Sequence, residues 1–149
     1  YKINWINYYM VRISNEKLLE LLAGNSRMPY VKIAERLGVS ETAVRKRVRK
    51  LEEEGIIEGY TIRVSPRRIG YAVQATIGID TAPEAYIDVM EKLKGMDDVR
   101  EMHSASGDHM LMAECWFRDP GGLAAFTRKL NAMKGVKKTC PAIIGERIK

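Results

Sequence analysis

The first 64 residues carry apolar positions with the spacing of three short α-helices. Apolar residues recur three and four positions apart in each segment, and a glycine follows each one. Ser14 and Ser40 are good N-caps for the first and third helices, and Pro29 favours the start of the second. Residues 56–64, which follow the third helix, are expected to form a strand or a small hairpin. This order of elements predicts a winged helix-turn-helix.

The third helix, expected from about Ser40 to Glu54, separates apolar from basic side chains. Its inner face consists of Val44, Val48 and Leu51, and its outer face of Thr42, Lys46 and Arg49. The second helix of a helix-turn-helix enters the major groove and reads base edges with its N-terminal residues. The residues expected near bases are Ser40, Glu41, Thr42, Ala43 and Arg45. The residues expected at phosphates are Lys46, Arg49 and Lys50.

An alternative is open for this helix, namely an amphipathic surface helix with a solvated basic face. Such a face normally mixes both charges along its length. Here five of the six residues at positions 45–50 are basic, and the acidic run at 52–54 follows only afterwards. The pattern therefore favours contact with DNA.

The charge of the chain is distributed unevenly between its two halves. The formal net charge is +6. Residues 1–70 contain 14 Lys and Arg against 8 Asp and Glu, whereas residues 71–149 contain 11 of each kind. Because the whole positive excess lies in the first half, a polyanionic partner is expected for that half only.

The second half changes to a pattern in the order β-α-β-β-α-β, which predicts a ferredoxin-like fold. Residues 72–80 alternate strictly, with Val73, Ala75, Ile77 and Ile79 on one face. Further strands are expected at 99–104, 110–117 and 136–148. A helix from Pro83 is expected to bury Ile87, Met90 and Leu93. A helix from Pro120 is expected to bury Leu123, Phe126 and Leu130.

The fold class predicted for the whole chain is therefore α+β. We expect a DNA-binding domain at residues 1–64, in which residues 1–9 form an atypical extension. A linker at 65–70 leads to a second domain at 71–149. Two helices cover only one face of so small a sheet. The other face is expected to pair with a second subunit, most simply in a two-fold dimer.

Residues with catalytic or metal-binding chemistry are few. The two cysteines, Cys115 and Cys140, have neither metal-ligand nor disulfide spacing and are expected to be small core residues. His103 and His109 flank a turn at Gly107, but no cysteine or carboxylate cluster stands with them at ligand spacing. We therefore predict no metal, no cofactor and no catalytic set. No apolar run reaches the roughly 20 residues of a membrane span, and a cytoplasmic protein is expected.

The segment Val39–Ile57 resembles the recognition helix and wing of the Lrp/AsnC regulators, also called feast/famine proteins. Residues 18–38, including Tyr30, resemble the first two helices of that family. Gly70-Tyr71, Ser106-Gly107-Asp108 and Gly135-Val136 resemble its linker, its ligand-sensing turn and the start of its last strand. The likeness covers roughly residues 10–149, and it adds Tyr30 to the expected DNA contacts.

The resemblance implies a transcription regulator that responds to an amino acid or a similar small metabolite. It implies a homodimer that assembles further into tetramers or octamers, with the effector bound between subunits near the Gly-Asp turn. The residues expected to line that pocket are His103, Ser104, Ala105, Ser106, Gly107, Asp108, His109 and Thr139. The chemistry of two of these residues agrees with an effector site. Gly107 permits the backbone to approach a ligand closely, and Asp108 can pair with an ammonium group. The alternative is that Gly107-Asp108 is only a hairpin turn.

Two features depart from the family pattern. An aromatic residue is common where His103 stands, and a second acid is common where Met110 stands. The apolar Met110 indicates either that the effector is not the usual one or that it is more apolar. The family normally begins near Met10, so residues 1–9 are either an added extension or an arm that docks on another subunit.

Two other functions remain as alternatives to effector-controlled regulation. Sirohaem decarboxylases resemble this two-domain architecture, and His103 and His109 would then be candidates for proton transfer. The basic third helix argues against an enzyme, which has no need of a DNA-reading face. The other alternative is an architectural DNA-binding protein without an effector.

Overall fold

A computed structural model describes residues 13–146 and residue 148 of the chain. The chain divides into two compact units, of which the first ends at Ile62 and the second begins at Arg63. The extension expected at residues 1–9 lies outside the described residues. Among the residues that are described, no helix has the length and apolar character needed to cross a bilayer.

The first unit is built on three helices, which are α1 (Asn15–Gly24), α2 (Tyr30–Leu37) and α3 (Glu41–Glu53). The Ser14 and Ser40 side chains cap α1 and α3, as predicted, because each hydroxyl accepts a backbone N–H three residues later. Gly38 ends α2 at φ 67°, in the left-handed region that suits glycine. The buried core consists of Leu18, Leu22, Ile33, Ala34, Val44, Val48 and Leu51.

The segment after α3 is not a strand. The prediction of a strand or hairpin at residues 56–64 is wrong, because none of these residues has strand pairing among the described residues. Ile62 is 78% exposed, and Ile56 and Tyr60 are about half exposed. A hairpin is marginal unless its apolar side is covered, and Ile56, Tyr60 and Ile62 remain largely exposed among the described residues of the first unit.

The second unit has two helices and four strands. Its strands are β1 (Val73–Thr81), β2 (Val99–Ser104), β3 (Leu111–Phe117) and β4 (Val136–Ile143). Its helices are α4 (Tyr86–Lys94) and α5 (Pro120–Asn131), and single 3₁₀ turns lie at Pro66–Ile69 and Pro83–Ala85. The strands form one antiparallel sheet in the order β2-β3-β1-β4. This is the predicted ferredoxin-like arrangement, and the α+β class is confirmed.

The core of this unit lies between one face of the sheet and the two helices. On β1, Val73, Ala75, Ile77 and Ile79 are all buried, as their alternation predicts. The alternate residues of β3 and the inner faces of α4 and α5 complete this cluster. The opposite face of β1 is half-buried except for Gly78, which is buried. The unit therefore has one closed face and one partly open face.

Two predicted details of this unit are wrong. Ile87 is 60% exposed, and Val89 is buried in its place together with Leu93. Val89 and Leu93 lie four residues apart on the side of α4 that faces the sheet, and Ile87 is rotated away from them. The last strand ends at Ile143 rather than 148, because the N–H of Ile144 reaches Gln74 near the beginning of β1 and the ladder stops there.

Candidate DNA interface and effector site

The N-terminal half of α3 presents polar and basic side chains to solvent. Thr42, Lys46 and Arg49 are exposed, whereas Val44 and Val48 on the inner face are buried. Arg47 is half-buried at the edge between the two faces. The helical phase read from the sequence therefore agrees with the exposure of these side chains.

Three basic residues of α3 are paired with acids one turn away on the same helix. Arg45 lies 2.6 Å from Glu41, Arg49 lies 2.8 Å from Glu53, and Lys50 lies 3.5 Å from Glu54. All three pairs are well exposed, so each contributes little to stability and is easily exchanged for another partner. Lys46 makes no ion pair within the described part of the chain. Sequence reasoning missed these pairs, although their four-residue spacing was visible.

Tyr30, at the start of α2, lies beside the N-terminal half of α3. The Arg45 guanidinium carbon is 5.3 Å from the centre of the Tyr30 ring, within the range of a cation–π contact. Arg45 is thus held by a carboxylate on its own helix and by an aromatic ring on the preceding one. These two contacts restrict the directions in which Arg45 can point.

A hydrogen bond from Tyr60 joins the segment after α3 to that helix. The Tyr60 hydroxyl donates this bond, of 2.8 Å, to Glu52. Partial desolvation, followed by the Glu52 carboxylate, raises the pKa of Tyr60 to about 12. Tyr60 is therefore a neutral donor at physiological pH.

The predicted effector turn joins β2 to β3. The backbone N–H of Ala105 donates to the carbonyl of Met110 at 3.0 Å, which closes the turn at its base. Gly107 has φ 132°, a conformation that residues with a Cβ rarely adopt. Residues 103–108 are exposed, and His109 is only partly so. The structure therefore brings seven of the eight predicted effector residues together.

Thr139 lies apart from that turn within one chain. It is paired with Ile79 on β1, Ile79 is paired with Leu111 on β3, and Leu111 is paired with Ser104 on β2. Three strand spacings separate Ser104 from Thr139, or about 14 Å. The Thr139 hydroxyl bonds to Asn131 of α5 at 2.8 Å. A single chain thus does not place Thr139 in one pocket with the turn.

The two histidines have different surroundings. His103 is exposed, with Nε2 3.2 Å from Glu101. His109 has Nδ1 3.0 Å from Asp80, and its side chain is only 17% exposed. Among the described residues, His, Cys, Asp and Glu nowhere form a group of three that could hold a metal ion.

Asp80, on β1, is a residue of this region that sequence reasoning missed. One of its carboxylate oxygens faces His109 Nδ1, and the other accepts the backbone N–H of Met110 at 3.2 Å. The bond from His109, and the Met110 amide and Lys138 more weakly, lower the pKa of Asp80 against a smaller opposing effect of burial. The available signal was its charge, since the rest of β1 is uncharged.

Two family profiles match successive parts of the chain. A profile described as winged helix-turn-helix DNA-binding matches residues 12–58, and one described as the Lrp/AsnC ligand binding domain matches residues 74–149. The chain belongs to the Lrp/AsnC family. It is a DNA-binding transcription regulator with a ligand-binding domain, and the resemblance read from its sequence is confirmed.

Relatives and solved structures of Lrp/AsnC regulators match nearly the whole chain. The HTH-type transcriptional regulator LrpA of Pyrococcus horikoshii is 50% identical over 141 residues, which cover 94% of this chain and 100% of that protein. The structure of E. coli AsnC has a TM-score of 0.78 at 30% identity and covers 92% of this chain and 95% of its own. A feast or famine regulatory protein from M. tuberculosis, solved in complex with L-methionine, has a TM-score of 0.81 at 25% identity, with coverages of 90% and 91%.

Proposed function

We propose that this Lrp/AsnC protein reads DNA with the outer face of α3 and that an amino acid bound at the β2–β3 turn controls its activity. The observation that carries the proposal is the separation of α3 into a buried apolar side and an exposed basic side. In this proposal residues 1–64 bind DNA, residues 71–149 bind the effector and form the oligomer, and residues 65–70 link the two domains. Such a regulator acts in the cytoplasm on the chromosome.

On DNA, we assign base-edge contacts to the N-terminal end of α3. The residues are Ser40, Glu41, Thr42, Ala43 and Arg45, with Tyr30 beside them. Arg45 supports this assignment best, because Glu41 and Tyr30 orient it, and an oriented guanidinium suits bidentate recognition of guanine. We assign phosphate contacts to Lys46, Arg49 and Lys50, which give affinity and salt dependence rather than sequence preference.

Replacing Arg45 and Arg49 together with alanine tests the interface. Fragments selected from the source genome by the wild-type protein serve as the DNA, and affinity is measured from low to moderate salt. We expect the double variant to bind more weakly, with a log–log salt slope lower by about 1 for each phosphate that is no longer neutralised. Lys129→Ala, an exposed change in the last turn of α5, is the matched control. Equal affinity and slope for wild type and double variant would refute the interface.

For assembly, we propose a homodimer that associates further into tetramers or octamers. The support is the partly open face of the sheet, because an antiparallel sheet in a small domain gains by covering its second face. A two-fold dimer would also present two copies of α3 to half-sites about one helical turn apart. The distance from the turn to Thr139 fits the same proposal, since residues of two chains would complete the effector pocket.

For the effector, we propose an amino acid with an apolar side chain. The exposed Asp108 carboxylate suits an α-ammonium group, and Met110 gives the site an apolar contact where the family often has an acid. The M. tuberculosis relative solved with L-methionine supports this choice of class.

A thermal-shift measurement with each of the twenty common amino acids tests the effector. A ligand at 100 times its Kd raises the free energy of unfolding by about 2.7 kcal/mol, so an apolar amino acid is expected to raise the Tm by several degrees. Asp108→Asn should reduce that rise, and Asp97→Asn, an exposed acid away from the turn, should not. If none of the twenty shifts the wild-type Tm, an architectural DNA-binding role replaces effector control.

We propose regulation rather than catalysis. The curated relatives are named as transcriptional regulators. Addition of sirohaem without spectral change or product would remove the enzyme alternative.

A further inference from the structure

The β2–β3 turn is exposed at its tip but anchored at its C-terminal side. Residues 104–108 are exposed, whereas His109 and Met110 are partly buried. Within the turn itself, one backbone bond, from Ala105 to Met110, closes the base. A loop with a single internal bond needs external contacts to keep one conformation, and those contacts come from β1.

Gly78 of β1 provides the surface on which His109 lies. A methyl group built on Gly78 would overlap the imidazole ring, at both carbon and nitrogen atoms. The ring therefore packs directly on the backbone of β1, which only glycine at this position permits. The neighbouring residues of the strand, Ile77 and Ile79, point to the other face and belong to the core.

Asp80 holds the same segment by hydrogen bonds. Its two oxygens accept from two successive residues of the turn, the His109 ring at 3.0 Å and the Met110 N–H at 3.2 Å. The carboxylate is 23% exposed, so these bonds are partly protected from water. Bonds to a charged acceptor are stronger than neutral ones, and a pair on adjacent residues fixes both position and orientation.

We propose that Asp80 is a positioning residue of the effector site, which with Gly78 seats His109 and thereby fixes the Gly107-Asp108 tip. The effector part rests on the function proposed above. Asp80 keeps the proton of His109 on Nδ1, so that Nε2 of the neutral ring is the acceptor left for a ligand. With the Asp108 carboxylate, this acceptor gives the site two groups that recognise an α-ammonium donor.

The test compares full-length wild type with Asp80→Asn, which keeps the shape of the side chain and removes its charge. Nitrogen-15 spectra of His109 near pH 8 should show the Nδ1–H tautomer in wild type and a shift toward Nε2–H in the variant. Exchange of the Met110 amide should become about tenfold faster in the variant, because a neutral amide oxygen replaces the charged acceptor of its hydrogen bond. Asp97→Asn is the matched control and should change neither reading.

The effector arm uses the twenty common amino acids as probes. The amino acid that gives wild type the largest Tm rise should bind Asp80→Asn about tenfold or more weakly, with DNA affinity in the absence of amino acid unchanged. Gly78→Ala, which displaces the His109 ring and leaves Asp80 in place, should weaken binding similarly. Circular dichroism spectra confirm that both variants fold.

Two results would overturn the positioning role. One is wild-type His109 protonated mainly on Nε2, and the other is equal Met110 exchange in wild type and Asp80→Asn. Altered spectra with unchanged amino-acid affinity would overturn the link to the effector. If no amino acid binds wild type, the effector proposal itself fails, and the spectra and exchange rates still decide what Asp80 does for the turn.

Discussion

The hydrogen bonds of Asp80 make part of the stability of the second unit depend on pH. In the folded protein the pKa of Asp80 lies below its ordinary value, chiefly because of the bond from His109. A group with a lowered folded pKa stabilises the fold above its unfolded pKa, about 3.9 for aspartate, and loses that contribution as the pH falls through the folded value.

We therefore expect the free energy of unfolding of wild type to fall more steeply below about pH 4 than that of Asp80→Asn. At neutral pH wild type should be the more stable of the two. Urea denaturation at several pH values measures this, and the remaining acids, common to both proteins, cancel in the difference. A constant gap down to about pH 2 would show that Asp80 gains nothing from its partners.

At the residue scale, sequence reasoning found side chains whose chemistry is local and missed those whose partners are distant in sequence. Ser40 and Gly107 were predicted correctly because a cap and a left-handed turn depend on a few neighbouring residues. Asp80 was missed because its partners, His109 and Met110, are about thirty residues away. Only the pairing of β1 with β3 brings them together.

At the scale of the element, α3 depends on Ser40, the residue that caps its N-terminus. The Ser40 hydroxyl accepts the N–H of Ala43 at 3.2 Å and satisfies one of the donors left open at a helix start. Ser40→Ala should lower the free energy of unfolding by about 1 kcal/mol, and Ser40→Asn should recover most of it. Thermal or urea denaturation gives the values.

Loss of this cap should also change the affinity for DNA. The first turn of α3 carries the proposed base contacts, and Ser40 is one of them. Ser40→Ala should therefore weaken sequence-specific binding more than binding to random DNA, both because the turn frays and because the contact of Ser40 is lost. Ser26→Ala, an exposed change in the loop before α2, serves as the control. Identical stability of Ser40→Ala and wild type would show that the cap contributes nothing.

Elements whose apolar residues recur with a clear period were predicted well. Elements whose structure depends on packing against another element were not. The alternation of β1 and the inner faces of α3 and α5 follow from one apolar surface that each must bury. Ile87 failed because α4 offers two overlapping apolar sides, and only the docked sheet selects the one with Val89 and Leu93. The segment at 56–64 failed because a strand requires a neighbouring strand, which its sequence cannot supply alone.

At the scale of the whole molecule, the order of elements was sufficient to predict the α+β class and the ferredoxin-like topology. The charge distribution added the prediction of a polyanionic partner, since the positive excess lies entirely in residues 1–70. The effector pocket was not predictable to the same degree. Its turn is local in sequence, but Thr139 lies on the opposite edge strand of the sheet, and the pocket we propose needs residues from two chains.

The three pairs Glu41–Arg45, Arg49–Glu53 and Lys50–Glu54 bear on how such a molecule finds its operator. Any duplex attracts basic side chains through its phosphates. At Arg49 and Lys50, the proposed phosphate contacts, a phosphate has to replace Glu53 or Glu54, and these carboxylates also repel the incoming backbone. Random sequence offers nothing further to offset that competition, whereas the operator also offers base edges. On the interface proposed above, we therefore expect replacement of Glu53 and Glu54 with glutamine to strengthen binding to random DNA more than binding to the operator.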